Sequence, residues 1–286
     1  MTTLQASTVH SARPTPVGAL LNPWRLVRLV RRHGDLIVQF VLREIQAANK
    51  DTLLGIVWVV LGPALMLAIY TLVFGLILLR DPNPWRYALW LYCGLTLFHV
   101  FAEPMNRGPG LVAGRPNFVK KVVFPLEVLP ISAVGTTLFY AVVSVLLLIV
   151  GKAIVLRQFT GWEALFPLAL VPAALLGLAA CATLSALGVF VRDLRHVISG
   201  PVARALFFLT PLVYPLERVP HPWGRLIALN PLTCVVEFGR ATLIDGRNPE
   251  PRWWIGLGVV TLLGAAGVVV SMAIFTKAKR GFADVL

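Results

Sequence analysis

Between Lys50-Asp51 and Arg80 the chain runs for 28 residues, Thr52 to Leu79, without an Asp, Glu, Lys, Arg or His. At 1.5 Å rise per residue, roughly 20 apolar residues already carry a helix across the hydrocarbon core of a bilayer. A soluble domain cannot hide so long a run, so this stretch demands a membrane. Composition agrees: of 286 residues 57% are hydrophobic and 14% charged, against about a quarter charged in ordinary soluble domains. The run is too long for the apolar region of a signal peptide and residues 1–22 lack an apolar core, so it is expected to stay as a true span.

Six candidate spans fall near residues 53–79, 87–103, 128–150, 164–190, 197–216 and 253–276. The expected fold is all-α: a polytopic membrane protein of six transmembrane helices, with an N-terminal amphipathic interfacial helix and short external re-entrant helices. Residues 1–21, broken by Pro14, Pro16 and Gly18, read as a flexible cytoplasmic tail, 22–50 as the interfacial helix and 51–286 as one six-span domain. Asn22 and Pro23 supply a helix start. After them Arg25, Arg28, Arg32, Asp35, Gln39, Arg43, Gln46 and Lys50 recur at helical spacing. Val27, Val30, Gly34, Ile37, Val41 and Ile45 occupy the other face. Such a helix lies in the membrane surface, and Gly34 bends or splits it.

The formal charge of +13 does not point to nucleic acid, because the basic residues sit between apolar segments rather than on one soluble face. They set topology instead. With both termini in the cytoplasm, cytoplasmic segments hold 17 of the 26 Lys and Arg and external segments 9, five of those in 217–252. Arg204 interrupts the fifth span and Pro201, Pro211 and Pro215 crowd it, so protein or a cavity, not lipid, is expected around it. Leu226–Leu229 and Leu232–Leu243 are apolar but too short to cross. Flanked by prolines, Trp223, Trp253 and Trp254, they suggest re-entrant or interfacial pieces on the outer side.

Little chemistry is encoded. Cys93, Cys181 and Cys234 form no CxxC pair and read as packing residues. The five histidines show no metal-ligand spacing, and His99 reads as a hydrogen-bonded packing residue. The first and sixth spans carry no ionisable acid or base for an ion relay, and Glu103 and Glu127 lie at span ends. Gly151-Lys152 lacks the other parts of a phosphate-binding loop, so no nucleotide site of that kind is present. The chain reads as a conduit powered by another subunit, neither catalytic nor metal-binding.

Several segments resemble the polysaccharide-export branch of the type-2 ABC exporter permeases, the family exporting O-antigen, capsule and teichoic acid. They are Lys50-Asp51-Thr52-Leu53-Leu54-Gly55-Ile56-Val57-Trp58 with Gly62-Pro63, then Asn117-Phe118-Val119-Lys120-Lys121-Val122-Val123-Phe124-Pro125-Leu126-Glu127-Val128-Leu129-Pro130. Further along come Arg192-Asp193-Leu194-Arg195-His196, Pro211-Leu212-Val213-Tyr214-Pro215, and Asn230-Pro231-Leu232-Thr233 with Arg240 downstream. Asn49 stands where many relatives have an aromatic. The resemblance implies a homodimer in the bacterial inner membrane with two ATPase subunits on its cytoplasmic side. ATP and Mg would belong to those subunits, and this chain needs no cofactor. It also implies a lipid-linked polysaccharide substrate, contact with membrane lipid, and periplasmic or outer-membrane export components as further candidate partners.

Roles follow from the resemblance, each with a plainer alternative. Asn117, Phe118, Lys120 and Lys121, with Arg192 and Asp193, are candidates for coupling to the ATPase; a positive-inside anchor is the alternative. Arg28, Arg32 and Arg43 are candidates for attracting the phosphate of the lipid-linked glycan, or for anchoring to anionic lipid. Trp58, Tyr70 and Phe74 with Phe207, Phe208 and Tyr214 are candidate sugar-stacking residues of the conduit, or packing and interface aromatics. Gly55, Pro63, Pro125, Pro130, Pro211, Pro215, Asn230 and Pro231 are expected to fix turns and helix starts. An exporter of a drug or small lipid is the nearest alternative function, and an intramembrane lipid or glycan transferase a more distant one.

Overall fold

The computed structural model of the chain describes residues 24–50, 54–73, 83–120 and 124–286. Among these every regular element is helical and none is a strand. The tail 1–21, the Asn22-Pro23 start signal, Asp51-Thr52-Leu53, Phe74 and Lys121 lie outside the described residues.

The amphipathic segment is split where its glycine predicts. Helix α1 (Trp24–Arg32) and helix α2 (Gly34–Asn49) part at His33, whose backbone leaves helical geometry at φ −118°, ψ 22°. Helix α2 buries Phe40 and Ile45, while Trp24, Val27 and Val30 of α1 stay exposed. After a 3-10 turn at Gly55–Val57, α3 spans Trp58–Tyr70 with Pro63 inside it. Gly55 has φ +52°, a region that favours glycine.

Helix α4 (Pro84–Leu111) starts where Asn83 accepts a hydrogen bond from the Arg86 N–H at 3.1 Å, with Pro84 in the first turn. It continues through Pro104 and Pro109 as far as Leu111, past the end of the second expected span at residue 103. Pro104 has no N–H for the Val100 carbonyl, and α7 approaches at that point through Gly177. A Cβ there would lie 2.8 Å from the Val100 oxygen. A Cβ on Gly188 would lie 2.1 Å from the Pro109 oxygen. Small residues thus let the two backbones close up, as membrane helices do where lipid gives no hydrophobic drive.

Helix α5 (Pro116–Val119) is one turn, α6 covers Val128–Val155 with Pro130 in its first turn, and α7 covers Phe166–Phe190 behind a 3-10 turn at Trp162–Leu165. The expected fifth span is shorter than predicted. Helix α8 (Leu194–Val197), a π turn at Ile198–Val202 and α9 (Ala203–Leu209) run together, then Thr210 becomes extended at φ −102°, ψ 132°. Pro211 accounts for this, since its ring disfavours helical geometry in the residue before it. Helices α10 (Trp223–Ala228) and α11 (Pro231–Gly239) follow, and α11 runs on into a π turn at Arg240–Ile244. Helix α12 spans Pro251–Ala278 and α13 spans Phe282–Val285.

Among the described residues, three helical stretches are long and apolar enough to cross a membrane: Val128–Val155, Trp162–Phe190 and Pro251–Val285; Trp58–Val73 is a shorter apolar helix. Helix α4 is the central post, packed against α6, α7 and α11, while α7 also packs against α12. Two main clusters of buried side chains result. One joins α4 to α6, α7, α11 and the first half of α12, with Leu97, Leu148, Phe166 and Phe238 fully buried. The other gathers Phe40 of α2, Leu111 of α4, Leu129 of α6, Val189 of α7, Phe275 of α12 and Phe282 of α13. The first described helices and the C-terminal helix therefore meet at the same end of the bundle.

Candidate functional site

At that shared end, the residues expected to couple to an ATPase come from two short elements. Asn117 and Lys120, on and just after α5, are exposed, as are Arg192 and Asp193 in the turn between α7 and α8. Phe118 faces the other way. Its ring lies 5.6 Å from Phe40 of α2 and 4.7 Å from Phe124, and Phe40 and Phe124 are themselves 5.6 Å apart. Phe118 is thus the anchor of α5, and the polar residues beside it are left facing outward. Arg195 of α8 comes near Gly110 of α4, where an added Cβ would meet its side chain at 3.9 Å.

Glu44 braces this end from behind. Its carboxylate accepts from Arg115 at 2.9 Å, from Arg107 at 3.3 Å and from the Thr136 hydroxyl at 3.0 Å. One acid on α2 therefore ties together α4, the residue before α5, and α6. Its side chain is only 15% exposed, which strengthens such charge-assisted bonds. Arg115 Nη1 and Asn106 Oδ1 are buried without a partner among the described residues. Sequence reasoning did not find Glu44; an acid amid the basic residues of an interfacial helix was the available signal.

At the opposite end an irregular segment is held by side chains. The Arg240 guanidinium, 1% exposed, donates to the carbonyls of Pro211 at 2.6 Å, Leu212 at 2.7 Å and Trp90 at 3.2 Å. It also pairs with Glu237 at 2.9 Å and lies 3.3 Å from the centre of the Trp90 ring. Tyr87 donates to the Val213 carbonyl, and Asn230 Nδ2 donates to the Leu209 carbonyl and the Thr210 hydroxyl, both at 3.1 Å. Asn230 Oδ1 caps α11 by accepting from the Leu232 N–H at 3.0 Å, with Pro231 in the first turn. Backbone that leaves helical form at Thr210 thus has its carbonyls paired, the condition for irregular chain among apolar helices. A Cβ on Gly94 would sit 2.6 Å from Arg240, so only glycine leaves room for the guanidinium. Lys152, 1% exposed, is paired with Glu163 at this end as well.

The aromatic candidates separate into two sets. Trp58 is 40% exposed on α3, and Tyr70 is half-buried further along it. Phe207 packs edge-on to Phe98 at 6.0 Å, Phe208 is 68% exposed, and Tyr214 donates to the Phe208 carbonyl at 2.6 Å. Helix α3 packs on α4 and α6, whereas α9 packs on α4 and the π turn before it. Arg28, Arg32 and Arg43 are exposed along α1 and α2, and Arg28 reaches its own helix at the Trp24 carbonyl at 3.5 Å. Pro63 lies inside α3, Pro130 in the first turn of α6, and Pro125 and Pro215 outside the helices.

Apolar spanning helices, with one end closed on itself and the other presenting short polar elements, define a helical membrane permease. The ABC-2 type transporter family model matches residues 35–244, and the chain belongs to that family. Among its relatives, the O-antigen export system permease protein RfbA of Myxococcus xanthus is 31% identical over 267 residues, covering 91% of this chain and 98% of the relative. RfbA of Klebsiella pneumoniae is 26% identical over 255 residues, 88% of this chain and 95% of the relative. The polysialic acid transport protein KpsM of Escherichia coli is 24% identical over 240 residues, 82% of this chain and 90% of the relative.

Proposed function

We propose that this chain is the membrane-spanning subunit of an ATP-driven exporter moving a lipid-linked cell-surface polysaccharide, O-antigen or capsule, across the bacterial inner membrane. The observation that carries the reading is the likeness to an O-antigen export permease along nearly the whole of both chains. The working unit is a homodimer of six-span subunits with two ATPase subunits, which bind ATP and Mg, on the cytoplasmic side. Helices α3, α4, α6, α7, α8–α9 and α12 make the six passes, and α10 and α11 re-enter from the outer side. Both termini face the cytoplasm, which puts the Glu44 end inside and the Arg240 end outside.

In this arrangement α5 and the α7–α8 turn dock on the ATPase through Asn117, Lys120, Lys121, Arg192 and Asp193. Movement of the ATPase is passed to α2, α4 and α6 through Phe118 and Glu44. Trp58, Tyr70 and Phe74 of one protomer and Phe207, Phe208 and Tyr214 of its partner line the path.

The test is charge reversal at both lysines, Lys120→Glu with Lys121→Glu. The expected result is a normally inserted permease whose export stops while ATP hydrolysis by the partner continues. Unchanged export would reject the coupling assignment.

A further inference from the structure

Helices α3, α4 and α6 enclose an open groove of about 390 Å³, within the size range of small-ligand pockets. Polar and ionisable side chains interrupt its mostly apolar walls. Tyr70 lines it from α3, Tyr92, His99 and Glu103 from α4, and Tyr140 and Ser144 from α6. From Ala88 to Val100, α4 is buried at every position except half-buried Trp90 and exposed His99. His99 therefore opens onto the groove while its ring meets Phe98 edge-on at 6.0 Å, and its imidazole makes no hydrogen bond among the described residues, contrary to the sequence expectation. The Tyr140 phenol likewise has no hydrogen bond there. Tyr92 and Ser144 are linked at 3.0 Å.

Ionisable and polar groups placed among membrane helices are costly and mark function by default. Filling this groove with a lipid chain would leave the imidazole and the Tyr140 phenol unpaired in hydrocarbon. Among the described residues of the lining a phosphate finds no free cation. Arg107 is the only Lys or Arg among them, and it is shared by Glu44 at 3.3 Å and Glu103 at 3.9 Å. A neutral sugar ring fits both demands. Its hydroxyls both donate and accept, as a neutral imidazole, a phenol and a hydroxyl require, and a carboxylate at the mouth takes further hydroxyl protons. Its C–H faces suit the rings of Tyr70, Tyr92 and Tyr140.

We infer that the groove between α3, α4 and α6 is a sugar-binding subsite, holding neutral pyranose rings of the exported glycan through His99, Tyr140 and Glu103. The inference rests on the export reading above. It makes α4 a substrate-contacting helix, in addition to the aromatic sets on α3 and α9.

The experiment uses the intact exporter in its native membrane. A photo-crosslinking p-benzoylphenylalanine replaces Met66, a groove residue of α3 that is 49% exposed, and in a parallel strain replaces Phe208. After illumination, the adduct on the chain is identified by mass and glycan staining. At position 66 a glycan-bearing adduct is expected, disappearing when glycan synthesis is blocked. His99→Leu should lower it roughly fivefold, the loss of about one hydrogen bond, and His99→Asn should restore it. An adduct at 66 with phospholipid alone, or with a second copy of the chain, would overturn the inference. A glycan adduct at 208 with none at 66 would reject the groove and leave the export reading standing. With normal amounts of membrane-inserted chain, no glycan adduct at either position would reject both.

Discussion

The two ends of the helical bundle use buried charge differently. At the Arg240 end two cations are consumed inside the fold, Arg240 by three carbonyls and Glu237 and Lys152 by Glu163, each 1% exposed, while Arg86, Arg247 and Arg252 stay exposed beside acids. At the Glu44 end, Lys120, Arg192 and Arg195 stand exposed on or beside short helices, and the buried contacts go into bracing those helices from behind. An end that spends its polar groups internally is built to keep a shape. An end that positions polar groups and leaves them unspent is built to be completed by another chain. The same bundle thus carries one end tied around buried cations and one of braced, exposed polar elements, the contrast that the proposed coupling to a separate ATPase would use.

The comparison can be broken most forcefully at Arg240. Arg240→Met leaves three carbonyls and Glu237 without their donor, and should cost about 3–5 kcal/mol, the scale for breaking a buried pair. Thermal unfolding in mild detergent reads the loss, and Arg240→Lys should recover only part because the forked geometry is gone. Stability equal to the parent would mean the closed end does not depend on this side chain.

At the other end Glu44→Ala removes one acceptor from Arg107, Arg115 and Thr136 together. About 2 kcal/mol is expected, from partners left without their bonds. The effect should be local, with faster amide exchange across Gly34–Asn49 and little change in α11. Asn230→Ala should cost about 1 kcal/mol through loss of the α11 cap, read as a lower unfolding temperature. Smallest of all, Lys120→Glu should shift stability by under about 0.5 kcal/mol, as exposed substitutions do, measured in the same unfolding assay. A large destabilisation there would show that the lysine is spent inside the fold, and the contrast between the ends would fail.

The long helices were legible because an apolar run of spanning length has few alternatives; the third, fourth and sixth expected spans match α6, α7 and α12 to within a few residues. Local signals also read well: Gly34 beside the break at His33, and Asn230-Pro231 at the start of α11. Proline was harder to read. Pro104 and Pro109 lie beyond the second expected span, 87–103, yet α4 carries both, with α7 drawn close at Gly177 and Gly188. Pro211 ends the fifth helix early because it constrains Thr210. The roles of Glu44 and Arg240 depend on partners distant in sequence, Arg115 and Thr136 for one, Trp90 and Pro211 for the other. No periodicity or local motif encodes such pairings. The exposure of His99 is illegible for a related reason: one helix's pattern does not reveal that two others leave a groove beside it.

The most direct test of the central claim is to purify the chain in mild detergent from its native membrane and quantify its stoichiometric companions by mass spectrometry. The account predicts an ATPase subunit in equal amount, lost when Lys120 and Lys121 are both changed to Glu. A folded, dimeric chain that repeatedly comes without an ATPase would contradict it.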